Sequence, residues 1–370
     1  MLNSTSNLNE FYIWYRSIHG YLSLIICLLG LVLNFFNIIV LTRRHMLSST
    51  NAILTALAVC DFVVMFIYIP SSLKLYIINH SSESSCGDPS YFWTVYTLLL
   101  VNITVTMHST SIWLTVLLAF FRYIYICHNK LGKTLCSRRN TNIAILVTYF
   151  FCICLSAPSY MVSKIEKNNN CSHEISVNGS DFYKISQSDI DLKLNGYLFY
   201  STFFIQAFCV KLVPCLLILL LSSLLIYSIH KVNKINKKLY ATGCKKRRDI
   251  EKSKEQTRTN TMLVLVCTLF FITEFPQGIL AFLSIIFEST NFHEDVYMKL
   301  GDFMDMLSLL NSATNFILYC LMSNLFRKTF KNVFCLFLKE DDQNFKKMSR
   351  RSSAFYNRKS SKSFSKLLDS

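Results

Sequence analysis

The amino-acid sequence predicts an all-α protein built as a bundle of seven membrane-spanning helices. Apolar residues make up 52% of the 370 residues and charged residues only 16%, which leaves too little polar surface for a soluble globule. The apolar residues fall in blocks of about twenty or more, the length that a helix needs to cross roughly 30 Å of hydrocarbon. Seven such blocks follow one another, at 21–42, 51–71, 93–126, 142–161, 197–229, 262–287 and 298–322.

Basic residues in the connections predict which helix ends face the cytoplasm. The basic clusters all fall on one side of the bilayer: Arg43 and Arg44, residues 130–139, the loop 231–258 and the tail after Arg327. Lysine and arginine near helix ends favour the cytoplasmic side, so the N-terminus is expected outside. No cleavable signal peptide is expected, because residues 1–20 lack a charged region followed by an apolar core. The net charge of +16 is then mainly an orientation signal, and no nucleic-acid partner is expected.

The chain divides into one membrane domain and short terminal segments. The predicted boundaries are an extracellular N-terminus at 1–20, the seven-helix domain at 21–322, an amphipathic inner-leaflet helix at 323–338 and a disordered cytoplasmic tail at 339–370. Four phenylalanines at helical spacing predict the amphipathic helix: Phe326, Phe330, Phe334 and Phe337. The tail is rich in serine and lysine and poor in large apolar residues, which is typical of disorder.

Glycosylation sequons and cysteines agree with this orientation. Four sequons lie in predicted outside segments, headed by Asn3, Asn79, Asn170 and Asn178. Of the 14 cysteines, only Cys86 and Cys171 fall in outside loops, where oxidising conditions favour a disulfide between them over two free thiols. Cys335 follows the last span near the inner leaflet, a position compatible with either a palmitoylated or an unmodified thiol.

Polar residues inside the spans are expensive to insert, so each is a candidate functional residue. Asp61 lies in the middle of the second block, and three residues are predicted to place oxygen atoms beside it: Ser111, Asn311 and Asn315. Such a set suits a hydrated cation such as sodium. A water-filled hydrogen-bond network without a metal is an equally good interpretation. No other cofactor is expected.

A second polar group is predicted to converge nearer the outside and to line a ligand pocket. Its members are His108, Lys211, Glu274, Gln277, Asp302 and Asp305. A pairing of Lys211 with Glu274 would lower the cost of burying either charge, and contact of Glu274 with a ligand is the alternative. Asp305 has no evident basic partner, so it is the better candidate for a ligand anchor.

The sequence contains no pattern typical of an enzyme. It lacks a His/Cys metal-ligand spacing and a phosphate-binding glycine loop, and only 9 glycines occur in the whole chain. A transporter is the main alternative to a receptor. It is disfavoured because the chain has no repeated half and no helices broken by Gly or Pro at corresponding places in two halves.

Key positions of the seven blocks carry a characteristic set of residues, in chain order Asn34, Leu57-Ala58 with Asp61, Arg122-Tyr123, Pro214, Pro276 and Asn315 with Tyr319. Over roughly residues 20–338 this set resembles that of rhodopsin-like G-protein-coupled receptors. The resemblance implies a multi-pass plasma-membrane receptor. It also implies that Arg122, Tyr123 and Tyr319 act in coupling to a heterotrimeric G protein.

A narrower resemblance is to the invertebrate myosuppressin, FMRFamide and sex-peptide or myoinhibitory-peptide receptors. It is carried by five runs: Ser111–Val116, Arg122–Ile124, Lys211–Cys215, Thr273–Gly278 and Asn315–Cys320. The resemblance implies a short amidated neuropeptide as ligand and an inhibitory-class G protein. Receptor kinases and arrestin are expected to act on the serine-rich tail. An arginine of the peptide would meet Asp305 or Glu274, and a different small-molecule ligand is the alternative.

The chain departs from the wider receptor pattern immediately before Arg122. Phe121 stands where these receptors usually carry an acidic residue that holds the arginine in the resting state. Gln256, near the inner end of the sixth block, offers no negative charge either. We therefore expect raised basal signalling. Glu274 replaces a usual tryptophan, a variant that the narrower group shares.

Overall fold

The computed structural model describes residues 2–78, 88, 90–127, 132, 134–168, 182–241, 247–287 and 292–334. Predicted features that lie outside these residues are the disulfide pair Cys86 and Cys171, the sequons at Asn79, Asn170 and Asn178, the palmitoylation candidate Cys335 and the tail at 339–370. Asn3 falls within the first helix, but its side chain is not described. All of these features stay predictions.

Seven membrane helices, here called α1–α7, carry the fold. The first four are α1 (Leu2–Leu41), α2 (Ser49–Ser71), α3 (Tyr91–Cys127) and α4 (Arg138–Val162). The fifth, α5, joins Tyr197–Phe204, the π-helical Ile205–Leu212 and Val213–Ala241. The sixth, α6, is Arg247–Ile286, and α7 joins the π-helical His293–Tyr297 to Met298–Met322. A further π-helical segment, Ser72–Ile78, extends α2.

Length and hydropathy qualify six of the described helices as membrane spans. α7 brings the number to seven when it is taken together with the short helix Asn324–Phe334 that follows it. The predicted all-α bundle is therefore confirmed. The described helices α3 and α6 are longer than the predicted spans, because hydropathy detects only the lipid-facing part of a helix that continues into water.

The first helix begins much earlier than the predicted boundary at residue 21. α1 is helical from Leu2, and aromatic side chains from Phe11 onward pack against α7. The rings of Phe11 and Tyr15 lie 6.2 and 5.6 Å from the ring of Phe303. His19, one turn after Tyr15, is completely buried. Aromatic packing stabilises a helical segment that hydropathy alone does not reveal.

A two-stranded hairpin between α4 and α5 was not predicted. Strands β1 (Ser163–Lys167) and β2 (Tyr183–Gln187) pair antiparallel, with Ile165 opposite Ile185. The main chain of Asp88 exchanges two hydrogen bonds with Tyr183, which ties the hairpin to the segment before α3. Ser188 then caps the short helix Asp189–Lys193 by accepting a hydrogen bond from the main-chain N–H of Asp191.

Two apolar clusters lie in the part of the core that the described residues form. One joins α3, α5 and α6 through residues that include Ile112, Ile218 and Phe270. The other joins α1, α2 and α7 through residues that include Cys27, Met65 and Leu309. Gly30 leaves room for the Met65 side chain between α1 and α2, since a Cβ atom there would lie 2.3 Å from the Met65 sulfur and would displace the end of that side chain. These two clusters fix the helices that carry the polar sites between them.

The chain after Met322 forms a second compact unit, of which residues 323–334 are described. Its helix, Asn324–Phe334, falls within the predicted amphipathic segment at 323–338. The rings of Phe330 and Phe334 lie 4.6 Å apart, as expected for aromatic residues one turn apart on the same face.

Candidate functional site

A cavity of about 370 Å³ opens between the helices in the half of the bundle nearest the hairpin. This volume falls in the range of pockets that hold small ligands or the end of a peptide. The wall is mostly apolar and is formed by residues of α2 to α7. Four of the six predicted ligand-site residues line it: His108, Lys211, Gln277 and Asp305.

Lys211 and Glu274 form the predicted ion pair at one side of this cavity. The Lys211 ammonium donates to Glu274 Oε2, and it also donates to Gln277 Oε1 at 2.9 Å. His108 Nε2 lies 3.0 Å from the same Glu274 oxygen, and Ser308 donates to the other oxygen at 2.9 Å. Glu274 therefore has partners on α3, α5 and α7 and has no exposed surface.

The position of the His108 ring indicates which of its two nitrogens carries the proton. Its Nε2 lies 2.9 Å from Lys211 Nζ as well as 3.0 Å from Glu274 Oε2. One ring nitrogen cannot donate and accept at the same time, and a bare Nε2 beside the carboxylate would repel it. A tautomer with Nε2–H donating to Glu274 satisfies the carboxylate and leaves the Lys211 protons for Glu274 and Gln277.

Local backbone features place Lys211 and Glu274 in contact. Lys211 belongs to the π-helical part of α5, where the wider turn changes the direction of side chains relative to an α-helix. On α6, Gly278 lies one turn after Glu274, and a Cβ atom there would approach the Lys211 Cβ to 2.9 Å. Pro276 lies between these two residues and removes one main-chain donor from α6. Glycine thus allows the two helices to come close enough for the ion pair.

The two remaining acidic candidates differ in their surroundings. Asp305 on α7 is exposed within the cavity, and Gln277 is its hydrogen-bond partner. Within the described parts of the chain, no ion pair joins Asp305 to a basic side chain. Asp302 instead accepts a hydrogen bond of 2.8 Å from the Tyr76 hydroxyl and is not part of the cavity wall. Among the described wall residues, Asp305 alone presents a carboxylate to the cavity.

Asp61 lies in a separate, completely enclosed polar site. Ser111 donates to one carboxylate oxygen at 3.3 Å and Asn315 donates to the other at 2.9 Å. Ser312 provides a third hydrogen bond, in the place where Asn311 was expected. Ser312 could have been found from the sequence, because it lies three residues from Asn315 and therefore on the same helix face. One carboxylate and two hydroxyls are chemically suited to a small hard cation.

The inner end of α3 carries Arg122, and the residue before it in the chain is the uncharged Phe121. The Nε atom of Arg122 is buried and has no hydrogen-bond partner among the described residues. Phe121 is nearly buried, and its carbonyl oxygen accepts a weak hydrogen bond from the Cys136 thiol at 3.5 Å. Tyr319 on α7 is buried with 2% of its surface exposed. The replacement of the acid by Phe121 thus removes the usual partner of a buried guanidinium.

Comparison with known proteins identifies the family. A sequence model described as "Serpentine type 7TM GPCR chemoreceptor Srw" matches residues 21–337. The chain belongs to this family of G-protein-coupled receptors. It is therefore a multi-pass membrane receptor and not an enzyme, and the predicted resemblance to such receptors is confirmed.

Several named receptors are similar to this Srw-family receptor. The G-protein coupled receptor dmsr-1 of Caenorhabditis elegans is 31% identical, over 87% of this chain and 69% of that protein. The sex peptide receptor of Drosophila melanogaster is 26% identical, over 86% and 72%. The FMRFamide receptor of Drosophila melanogaster is 22% identical, over 85% and 53%. These relatives fall in the narrower receptor group that the motifs indicated.

Sequence reasoning missed several residues of the site. Ser308 holds Glu274 and lies three residues after Asp305, so helical spacing could have identified it. Three further polar residues on the wall carry no charge and therefore gave no signal in the sequence: Thr104, Thr202 and Gln206.

Proposed function

We propose that this receptor binds an amidated neuropeptide at the plasma membrane, with its N-terminus and the cavity facing outside. The observation that carries the proposal is the carboxylate of Asp305, which is exposed in an otherwise mostly apolar cavity. Two relatives are named for peptides, the sex peptide receptor and the FMRFamide receptor. A peptide end with one cationic side chain matches this cavity in charge and in size.

The charges around the cavity favour a cationic group. Lys211 and Glu274 neutralise each other, so Asp305 leaves one uncompensated negative charge on the described wall. An arginine of the ligand can bind this carboxylate through two parallel hydrogen bonds, which strengthen when water is excluded. Glu274 is enclosed by its own hydrogen-bond partners, which favours Asp305 over Glu274 as the residue that binds the cationic group of the ligand.

The signal would pass from the cavity to the inner face through α6. A ligand with higher affinity for the active state shifts the receptor toward that state, and Pro276 is the natural bending point of α6. Arg122, Tyr123 and Tyr319 would then act in coupling to a heterotrimeric G protein of the inhibitory class. Receptor kinases and arrestin would act on the serine-rich tail.

The decisive experiment measures nucleotide exchange on the G protein in membranes from cells that express the receptor. Synthetic amidated peptides ending in Arg-Phe and in Trp are screened, and small amines are included to test the alternative of a small-molecule ligand. For an active arginine-containing peptide, Asp305→Asn should lower potency by about 30- to 100-fold, as expected when a charge-assisted pair is lost.

Asp302→Asn is the matched control, because Asp302 bonds to Tyr76 away from the cavity wall. It should change potency by less than about threefold, a loss within the range of one neutral hydrogen bond. Equal effects of the two substitutions would contradict the anchor. Activation by amines alone, with no response to any peptide, would replace the peptide by a small-molecule ligand.

We also propose that Asp61 binds a sodium ion, with Ser111, Ser312 and Asn315 around it. Agonist potency is measured in sodium chloride and in choline chloride at equal ionic strength. Sodium should lower the potency in the wild-type receptor, and Asp61→Asn should abolish the difference. If sodium and choline give the same potency in the wild type, the site is a hydrogen-bond network only.

A further inference from the structure

Four residues meet at the end of the bundle that carries the hairpin, and we call them the Asp88 junction: Lys74, Asp88, Trp93 and Tyr183. The Lys74 ammonium lies 3.1 Å from Asp88 Oδ2 and 4.8 Å from the centre of the Trp93 ring. The other carboxylate oxygen of Asp88 accepts a hydrogen bond of 2.8 Å from the main-chain N–H of Ser90. The main chains of Asp88 and Tyr183 exchange hydrogen bonds of 3.0 and 2.9 Å.

The Asp88 junction connects three separate elements of the fold. Lys74 lies in the π-helical extension of α2, Trp93 lies in the first turn of α3, and Tyr183 is the first residue of β2. The side chains of Lys74 and Asp88 are only 17% and 19% exposed, so their ion pair is partly shielded from water. The aromatic face of Trp93 also attracts the ammonium. Asp88 is thus the residue through which the hairpin is joined to α2.

The hairpin lies between two parts of the cavity wall. β1 begins four residues after Ser159, and Phe203 lies in the first part of α5, which follows the hairpin; both residues line the cavity. Asp191 accepts a hydrogen bond of 3.0 Å from the main-chain N–H of Phe199, one turn before Phe203, and one of 2.6 Å from the Gln187 side chain at the end of β2. One end of the hairpin is therefore fixed beside the cavity, and the Asp88 junction fixes the far end of β2.

We infer that Asp88 is a positioning residue for ligand binding, because it holds the hairpin against α2 and α3 beside the cavity. A cavity of about 370 Å³ holds only the end of a peptide, so the remaining residues need a binding surface outside it. The hairpin supplies this surface when the Asp88 junction holds it in place. Loosening the hairpin should then weaken long peptides and spare short ones. The inference rests on the proposed peptide ligand.

The test compares a short and a long peptide in nucleotide-exchange assays. The short probe is Phe-Met-Arg-Phe amide. The long probe is a pool of ten-residue amides in which six randomised residues precede the same four, so that every side-chain chemistry is offered to the hairpin. The readout is the half-maximal concentration of the short probe divided by that of the long probe. Both values come from one receptor variant, so a change in surface expression does not alter their ratio.

In the wild type, the long probe should be the more potent one. Asp88→Asn keeps the acceptor for Ser90 and the main-chain bonds to Tyr183 but loses the ion pair, and it should lower the ratio about three- to fivefold. Lys74→Met also removes the contact with Trp93 and should lower the ratio about five- to tenfold. The double variant should match Lys74→Met alone, because both substitutions break the same ion pair.

Two further variants separate positioning from a general loss of charge. Lys74→Arg keeps a cation beside Asp88 and Trp93 and should leave the ratio within about twofold of the wild type. Lys299→Met is the matched control, since the Lys299 side chain is 18% exposed but pairs with Asp295 on its own helix. It should also leave the ratio within about twofold, a loss within the range of one exposed ion pair.

Each way of failing has its own signature. If the ratio in Asp88→Asn and Lys74→Met equals that in Lys299→Met, the Asp88 junction does not position the hairpin for binding, and the proposed function stands. If these variants weaken the short and the long probe equally, the junction supports the fold in general and the inference is wrong. Equal potency of the two probes in the wild type would also overturn it. If neither probe nor any other peptide activates the receptor, the proposed function itself fails.

Discussion

Lys211 and Arg122 are both cations set inside the membrane bundle, and their surroundings are opposite. Lys211, beside the cavity, donates to Glu274 and Gln277. Arg122, near the inner end of α3, follows Phe121 and has a buried Nε atom without a hydrogen-bond partner in the described part of the chain. The receptor thus supplies a complete set of partners for one charge and omits the acidic neighbour of the other.

This difference shows at which end of the bundle charged contacts hold the helices together. The group around Glu274 links α3, α5, α6 and α7, so any rearrangement of these helices must break or move a charged contact. At the inner end, none of the ion pairs found among the described side chains involves Arg122, and its neighbour in the chain is the uncharged Phe121. Resistance to activation is therefore expected mainly on the ligand side, where a ligand can overcome it.

The largest expected effect follows from removing the carboxylate of Glu274. Glu274→Gln leaves the Lys211 charge buried without its counter-ion, and breaking a buried ion pair costs about 3–5 kcal/mol. The purified receptor should unfold several degrees lower in a thermal assay, and less receptor should reach the cell surface. Lys211→Met combined with Glu274→Gln should recover at least half of the lost stability, because both charges are then absent.

Equal stability of the single and double variants would contradict the coupling between the two side chains. Ser308→Ala provides a smaller reference, since it removes one hydrogen bond to Glu274 and leaves the ion pair intact. Its expected cost is about 1–2 kcal/mol.

A smaller effect is expected from restoring an acid beside Arg122. Phe121→Asp places a carboxylate next to the guanidinium and should stabilise the resting state by about 1 kcal/mol, which corresponds to a roughly fivefold fall in basal nucleotide exchange. Phe121→Asn is the control, because it has the same shape as aspartate but no charge. Both variants are compared with mock-transfected membranes at matched surface expression.

If Phe121→Asn lowers basal exchange as much as Phe121→Asp does, charge is not the cause. If the wild-type receptor has no basal exchange above mock membranes, the missing acid has no functional consequence.

The sequence was sufficient to predict the bundle and most of the polar residues inside it. Hydropathy identifies lipid-facing helices, because a long apolar segment inside the bilayer must satisfy its main-chain hydrogen bonds within a helix. Charged residues such as Lys211 and Glu274 are conspicuous within such apolar segments. The helical N-terminal segment depends on packing of Phe11 and Tyr15 against Phe303, a contact 288 or more positions away along the chain. Neither hydropathy nor helical periodicity reports such contacts.

The neutral part of the site was equally hidden. A threonine inside a span most often bonds to its own helix, as Thr106 and Thr110 do, so Thr104 looks ordinary in the sequence. The three-dimensional arrangement reveals that Thr104, Thr202 and Gln206 all line one cavity. Likewise, the choice of Asp305 over Asp302 as ligand anchor depends on the hydrogen bond between Tyr76 and Asp302, which residue spacing in the sequence does not predict.

The smallest effect on the unfolding temperature is expected at the hairpin. Its ion pairs are exposed, whereas the ion pair of Glu274 is buried. Lys164 bonds to Asp189 and lies 2.6 Å from Glu166. Hydrogen bonds from Lys164 hold the pKa of Asp189 and of Glu166 below the usual values, and those bonds raise the pKa of Lys164. The carboxylates therefore stabilise the fold above their unfolded-state pKa and lose this contribution as the pH falls through the lowered folded-state pKa. The lysine contribution is lost only as the pH rises through its raised pKa.

At pH values between the lowered carboxylate pKa and the raised lysine pKa, all three groups are charged. Lys164→Ala should then change the unfolding temperature very little, because exposed ion pairs are weak. Salt at about 1 M, where the screening length is roughly 3 Å, should remove even this difference. The same salt should leave the large effect of Glu274→Gln intact, since water and ions do not reach Glu274. If salt abolishes the effects of both substitutions equally, the group around Glu274 is accessible to ions, and the contrast between a sealed charge cluster and an exposed one is wrong.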